Sequence, residues 1–199
     1  MDRMELFARI QLEQEETILL IIDIQTKLMA AMDARDQVCQ NTGILLTTAR
    51  ELQIPVVVTE QYPRGLGPSV PELVQQLPSE VRMLEKSSFD AARSGLLSVL
   101  DELGRHSVII CGTEAHICVY QTTRSLLEQG YRVFPIEDAI CSRSPCNYQS
   151  GLALMNRMGA WTLTTEGAVF DLLKASDIPG FKTISKDVEM RSQADSREC

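Results

Sequence analysis

Ser107-Val108-Ile109-Ile110-Cys111-Gly112-Thr113-Glu114-Ala115-His116-Ile117-Cys118, with the residues that follow to Gln129, decides how this chain reads. Ser107–Cys111 is short, apolar and β-branched, the pattern of a buried strand. Gly112–Ala115 makes a tight polar turn. His116–Leu127 carries Ile117, Tyr120, Arg124 and Leu127 on related helical faces, and Gly130 stops it. Cys118 therefore falls in the first turn of a helix that follows the carboxyl end of a strand. Unpaired N–H groups and the helix dipole favour negative charge there, so the thiol is expected to ionise more easily than a free cysteine. The same N–H groups can hold an oxyanion formed on a substrate carbonyl. Two readings stay open at this point: Cys118 is a nucleophile, or it is a small buried hydrophobe.

Working outward, strands and helices alternate. Thr17–Asp23 is a continuous apolar run ending in a carboxylate, as a strand buried on both faces requires. Asp33–Leu52 has helical apolar spacing. Pro55–Glu60 is the next strand, and Gln61–Pro71 a long loop with Pro63, Gly65, Gly67 and Pro68. Arg82–Lys86 is a short strand and Gly95–Leu103 a helix stopped by Gly104. Tyr131–Glu137 is a strand whose Pro135 is awkward at a central position. Ser144–Met158 is a helix with Ser144 at its N-cap and Pro145 in its first turn. Ala160–Thr165 is expected as a sixth strand, and Glu166–Lys174 as a final helix. Residues 1–16 read as an N-terminal arm and 180–199 as a C-terminal tail around a single domain spanning 1–199. This order predicts a three-layer αβα sandwich with a six-stranded, mostly parallel sheet.

Composition narrows the function. A length of 199 residues, 44% hydrophobic and 23% charged, suits one globular domain. The net charge of −8 argues against a nucleic-acid partner, because it would not neutralise phosphates. No apolar run approaches the roughly 20 residues needed to span a bilayer. The acidic start is not a secretory signal. Cys39, Cys111, Cys118, Cys141, Cys146 and Cys199 form no C-x-x-C pair, so they read as reduced thiols of a cytoplasmic protein.

Parallel α/β sheets bind ligands beyond the carboxyl ends of their strands. Asp23, Glu60, Lys86, Glu114, Cys118 and Asp138 lie at those ends. Asp23 closes an apolar strand, where a carboxylate needs a partner or its pKa rises; it serves as a general base, or as an N-cap or structural ion pair. Lys86 is a solvated lysine, or, beside Asp23 and Cys118, a cation that favours both anions. His106 and His116 do not give a metal-binding spacing. His116 lines the pocket or hydrogen-bonds near the helix start. No glycine-rich phosphate loop is present, so no nucleotide cofactor is indicated.

Six motifs in order resemble the isochorismatase-like cysteine hydrolases, in particular the branch called isochorismatase domain-containing proteins. They are L-L-I-I-D-I-Q at Leu19–Gln25, T-E-Q-Y-P-R-G-L-G-P-S-V-P-E-L at Thr59–Leu73, E-K-S-S-F at Glu85–Phe89, V-I-I-C-G-T-E-A-H-I-C-V at Val108–Val119, D-A-I-C-S-R-S-P at Asp138–Pro145 and T-T-E-G-A-V-F-D-L-L at Thr164–Leu173. The resemblance implies a six-stranded parallel sheet and an Asp23–Lys86–Cys118 triad. In it, Asp23 takes the thiol proton, Lys86 stabilises the thiolate, and Cys118 attacks a carbonyl carbon to form a thioester that water hydrolyses. It also implies a cis peptide at Thr113–Glu114 that turns the N–H groups of Glu114 and Cys118 toward an oxyanion, and a homo-oligomer, dimer or tetramer. Nicotinamidases of this family carry an Asp-x-His metal motif after the second strand. Thr59-Glu60-Gln61-Tyr62 stands there instead, so neither metal nor cofactor is expected. Siderophore isochorismatases lack the cysteine, so Cys118 points away from vinyl-ether hydrolysis.

The expected function is metal-independent hydrolysis of a C–N bond in a small-molecule amide or related carbonyl compound. Gln61, Tyr62, Arg64, His116 and Arg143 are the candidates for substrate binding, each otherwise a solvated loop residue. Two alternatives are a binding module that keeps the fold with little or no turnover, and a redox-sensitive thiol at Cys118.

Overall fold

The computed structural model describes residues 10–198. Five parallel strands form one sheet: β1 (Thr17–Ile22), β2 (Val56–Gln61), β3 (Arg82–Lys86), β4 (Ser107–Thr113) and β5 (Arg132–Cys141), in the order β3-β2-β1-β4-β5. The connecting helices are α1 (Arg35–Glu51), α2 (Leu96–Leu103), α3 (Tyr120–Glu128), α4 (Pro145–Arg157), α5 (Thr165–Leu173) and α6 (Phe181–Glu198). Every residue of β1 and β4 is buried, as parallel strands covered on both faces require.

The alternation of side chains along each strand divides the core in two. Leu19, Ile21, Val56, Val58, Ile109 and Phe134 face one layer with Ile44 and Leu45 of α1, Leu172 of α5 and Ile184 of α6. Ile18, Leu20, Ile22, Val57, Val108, Ile110 and Val133 face the other with Leu96 and Leu100 of α2, Leu126 of α3 and Met155 of α4. No described helix is long and apolar enough to cross a membrane.

Two expectations are corrected. The sixth strand shrinks to a single bridge between Ile136 and Leu163. The Trp161 and Leu163 N–H groups donate to the Val133 and Pro135 carbonyls at 2.9 and 3.0 Å. Pro135 has no N–H to return, and the pairing of β5 with β4 shifts register beyond Ile110, so the outer ladder cannot extend. β5 is thereby the sheet edge, and the edge is where a proline is tolerated. The segment expected as a C-terminal tail is helix α6. Its Ile184 and Val188 are 0% and 5% exposed against the α1 layer, and this burial holds a helix whose composition is otherwise polar. Of the N-terminal arm, residues 1–9 lie outside the described residues, as does Cys199. Leu12 is fully buried, and its N–H donates to Asp171 Oδ2 at 2.8 Å.

Candidate active site

The carboxyl ends of β1, β2, β3 and β4 bring the sequence candidates together. Asp23 follows β1 with φ +52°, a left-handed turn that directs the chain off the sheet. Its side chain is fully buried and fully used. Oδ1 accepts from Thr59 Oγ1 at 2.7 Å, and Oδ2 accepts from Lys86 Nζ at 2.6 Å. Its main-chain carbonyl accepts from Thr113 Oγ1 at 2.8 Å. Lys86 is the last residue of an edge strand whose Arg82, Met83 and Glu85 are exposed. The Lys86 side chain is nevertheless 0% exposed, because Asp23 lies across β2 from it. Gln61, paired in register with Lys86, adds a second acceptor, Oε1, at 2.8 Å from Nζ.

Cys118 completes the cluster. Cys118 is 6% exposed, and its thiol feels the charges of both Asp23 and Lys86. The turn that carries it is a π-turn, Ala115–Val119, in which the Val119 N–H reaches back to the Glu114 carbonyl at 3.3 Å; such turns recur at functional sites. The α-helix begins after it, at Tyr120. The expectation of an easily ionised thiol is corrected. Burial, then the Asp23 charge, push the Cys118 thiol up to about 12, against the opposing effect of Lys86. Burial likewise raises the Asp23 carboxyl, opposed by the charge and hydrogen bond of Lys86 and by the Thr59 hydrogen bond.

Two glycines permit this convergence. At Gly112, φ is +126° and a Cβ would lie 1.9 Å from the Ile22 carbonyl oxygen, so β1 and β4 can approach this closely only without a side chain. At Gly151 of α4, a Cβ would lie 2.7 Å from the Ala115 carbonyl carbon and 2.9 Å from the His116 nitrogen. Helix α4 thus packs directly on the cysteine turn.

The Thr113–Glu114 peptide is cis. The Glu114 side chain points away from the cluster to Arg143, which gives it a main-chain N–H at 3.0 Å and an Nη2 contact at 3.1 Å. Burial alone would raise the Glu114 carboxyl, but these Arg143 hydrogen bonds and charge outweigh it, and it sits below the usual range.

The substrate-binding candidates separate. Gln61 is the buried end of β2 rather than a loop residue: its N–H donates to Gln25 Oε1 at 2.8 Å, and its Nε2 to the Ser87 carbonyl at 2.9 Å. The Arg143 guanidinium is engaged by Glu114. His116 Nδ1 is 3.1 Å from Ser142 Oγ. Tyr62 is 59% exposed, in a left-handed conformation at φ +38°, with its ring over Gly65. Tyr62, Pro63, Arg64, Glu85, Lys86 and Ser87 line a cleft of about 350 Å³, although the Lys86 side chain itself stays buried. Sequence reasoning missed Gln25, Thr59 and Gly151 as site builders. Gln25 and Thr59 lie inside quoted motifs; nothing local marks Gly151, whose constraint comes from a turn 36 residues earlier.

The isochorismatase domain model matches residues 17–167. The chain is similar to isochorismatase domain-containing protein 2 of Danio rerio, 36% identical over 177 residues covering 88% of each chain. It is also similar to the Homo sapiens protein of that name, 37% identical over 171 residues, 85% of this chain and 82% of the other. Among solved structures, the MAR1 ribonuclease of Caenorhabditis elegans superposes with a TM-score of 0.85 at 33% identity, covering 89% of this chain and 92% of that one. The Escherichia coli YcaC product, described as an octameric hydrolase of unknown specificity, shares the fold with a TM-score of 0.85 at 24% identity, over 95% and 97% of the two chains.

Proposed function

The chain belongs to the isochorismatase domain family, and from that premise we propose that it is a cysteine-dependent hydrolase of a small-molecule amide or related carbonyl compound, working through a thioester without a metal or cofactor step. One observation carries the reading: a carboxylate and an ammonium, neither exposed to solvent, are hydrogen-bonded beside a buried thiol that both charges influence.

The raised thiol and the nucleophile role agree once the proton's destination is considered. Losing the Cys118 proton to solvent would leave a net negative charge in a dry site, which burial opposes. Passing it to Asp23 leaves the total charge unchanged: carboxylate, ammonium and thiol become carboxylic acid, ammonium and thiolate. The Lys86 ammonium then faces the thiolate instead of the carboxylate. The thiolate attacks the carbonyl carbon, and backbone N–H groups of Glu114 and Cys118 receive the oxyanion. Protonated Asp23 returns its proton to the leaving amine as the C–N bond breaks. Asp23 then activates the water that cleaves the thioester, and the thiol is restored.

The ribonuclease activity named for the nematode relative is disfavoured here, because a chain of net charge −8 does not favour phosphate binding. The tightly closed triad favours one second reading, a binding module that keeps the site without turnover. A panel of small amides assayed against the wild type and Cys118→Ala separates them. The hydrolase releases amine or ammonia only in the wild type and accumulates an acyl adduct on Cys118 by intact mass; binding without either result overturns the hydrolase. A cytoplasmic homo-oligomer is part of the same proposal, its assembly testable by light scattering on the full chain.

A further inference from the structure

We infer that Gln61 is a positioning residue for Lys86, held by Gln25, and not a contact for substrate; this rests on Cys118 being the nucleophile. An ammonium has three N–H donors in tetrahedral array. Two directions on Lys86 are taken, by Asp23 Oδ2 at 2.6 Å and by Gln61 Oε1 at 2.8 Å, and its charge acts on the buried thiol of Cys118. Fixing two of three directions fixes the third, so the Gln61 oxygen sets where the charge that must face sulfur points.

The glutamine is itself over-determined. Its Nε2 donates to the Ser87 carbonyl at 2.9 Å, which leaves Oε1 as the atom facing the ammonium. Its main-chain N–H donates to Gln25 Oε1 at 2.8 Å. Gln25 Nε2 donates in turn to the Gln61 carbonyl at 3.1 Å and the Gly67 carbonyl at 2.6 Å. Gln25 is fully buried and Gln61 8% exposed. Each named polar atom of the two side chains has a partner within the protein, so a substrate could recruit Gln61 only by breaking the lysine's second bond. During proton transfer to Asp23 the Lys86–Asp23 attraction weakens as the carboxylate becomes neutral. The Gln61 bond is then what keeps the ammonium from swinging away from the thiolate.

The test needs no substrate. Iodoacetamide labelling is followed by peptide mass mapping, with the Cys118 rate divided by that of exposed Cys146 in the same chain. Gln61→Met, which keeps the length and loses the oxygen, is expected to lower the Cys118 ratio about tenfold, the worth of one hydrogen bond to a charge. Gln25→Met is expected to lower it less. A purely structural role moves the ratio the other way, because a loosened site exposes a buried thiol. An unchanged or raised ratio in Gln61→Met overturns the positioning role. If instead Asp23→Asn leaves the wild-type Cys118 rate unchanged, the nucleophile reading fails, whatever Gln61 does.

Discussion

Lys86 Nζ lies 2.6 Å from Asp23 Oδ2 with neither side chain exposed to solvent. Two residues 63 positions apart thus form an ion pair inside the domain. A buried pair adds little net stability over an apolar pair of the same shape. Its presence at the strand ends, where it influences a buried thiol, accords with a chemical role.

Breaking this pair is expected to be costly. Asp23→Asn leaves the Lys86 ammonium buried without a counter-charge, a loss of about 3–5 kcal/mol. Urea unfolding measures it. Asp23→Asn with Lys86→Met recovers part of that loss while remaining inactive.

Glu114 and Arg143 give a pH signature. The Glu114 carboxyl sits below its ordinary value of 4.5 in the fold, so its stabilising contribution is present above that value and is lost as pH falls through the lower, folded one. Arg143 is 62% exposed, so solvent screens its side of the pair and keeps the contribution small. Glu114→Gln is expected to be slightly less stable than the wild type at neutral pH. The gap narrows as pH falls below the carboxyl's ordinary value and through its lower folded one, read from urea midpoints at neutral and acid pH.

The two close-approach glycines are expected to fail differently. Gly112→Ala places a methyl 1.9 Å from the Ile22 oxygen in a left-handed backbone and forces β1 from β4, costing about 4 kcal/mol or more. Soluble yield and urea midpoint report it. Gly151→Ala pushes α4 off the Ala115–His116 backbone for about 1–3 kcal/mol. It is expected to change the Cys118 labelling rate more than its stability loss accounts for.

Removing helix α6 by ending the chain at Pro179 takes away Ile184 and Val188, 0% and 5% exposed. Burying two such side chains is worth about 3 kcal/mol or more. Thermal unfolding of the shortened chain is expected to begin at a lower temperature. An unchanged midpoint assigns α6 no part in the core.

Much of this was legible in sequence because it is local. The apolar runs at Thr17–Ile22 and Ser107–Cys111 read as strands buried on both faces, although the second continues through Gly112 and Thr113, which were expected in a turn, and Gly104 and Gly130 stop the helices they were expected to stop. The segment near Leu163 misled because its alternation fits a strand, while the partner ladder was shortened by Pro135 and the shifted register of β5. Helix α6 was missed because its polar composition hides two buried residues one turn apart.

Residue identity along the chain determined the alternating α/β order and named Asp23, Lys86 and Cys118, since strand ends and motif spacing are properties of neighbours. Tertiary structure alone decided that the thiol is raised rather than lowered, that Gln61 faces Lys86 rather than the cleft, and that Arg143 is engaged by Glu114. Burial, charge pairing and hydrogen-bond direction depend on groups tens of residues away, and no local pattern encodes where those groups arrive.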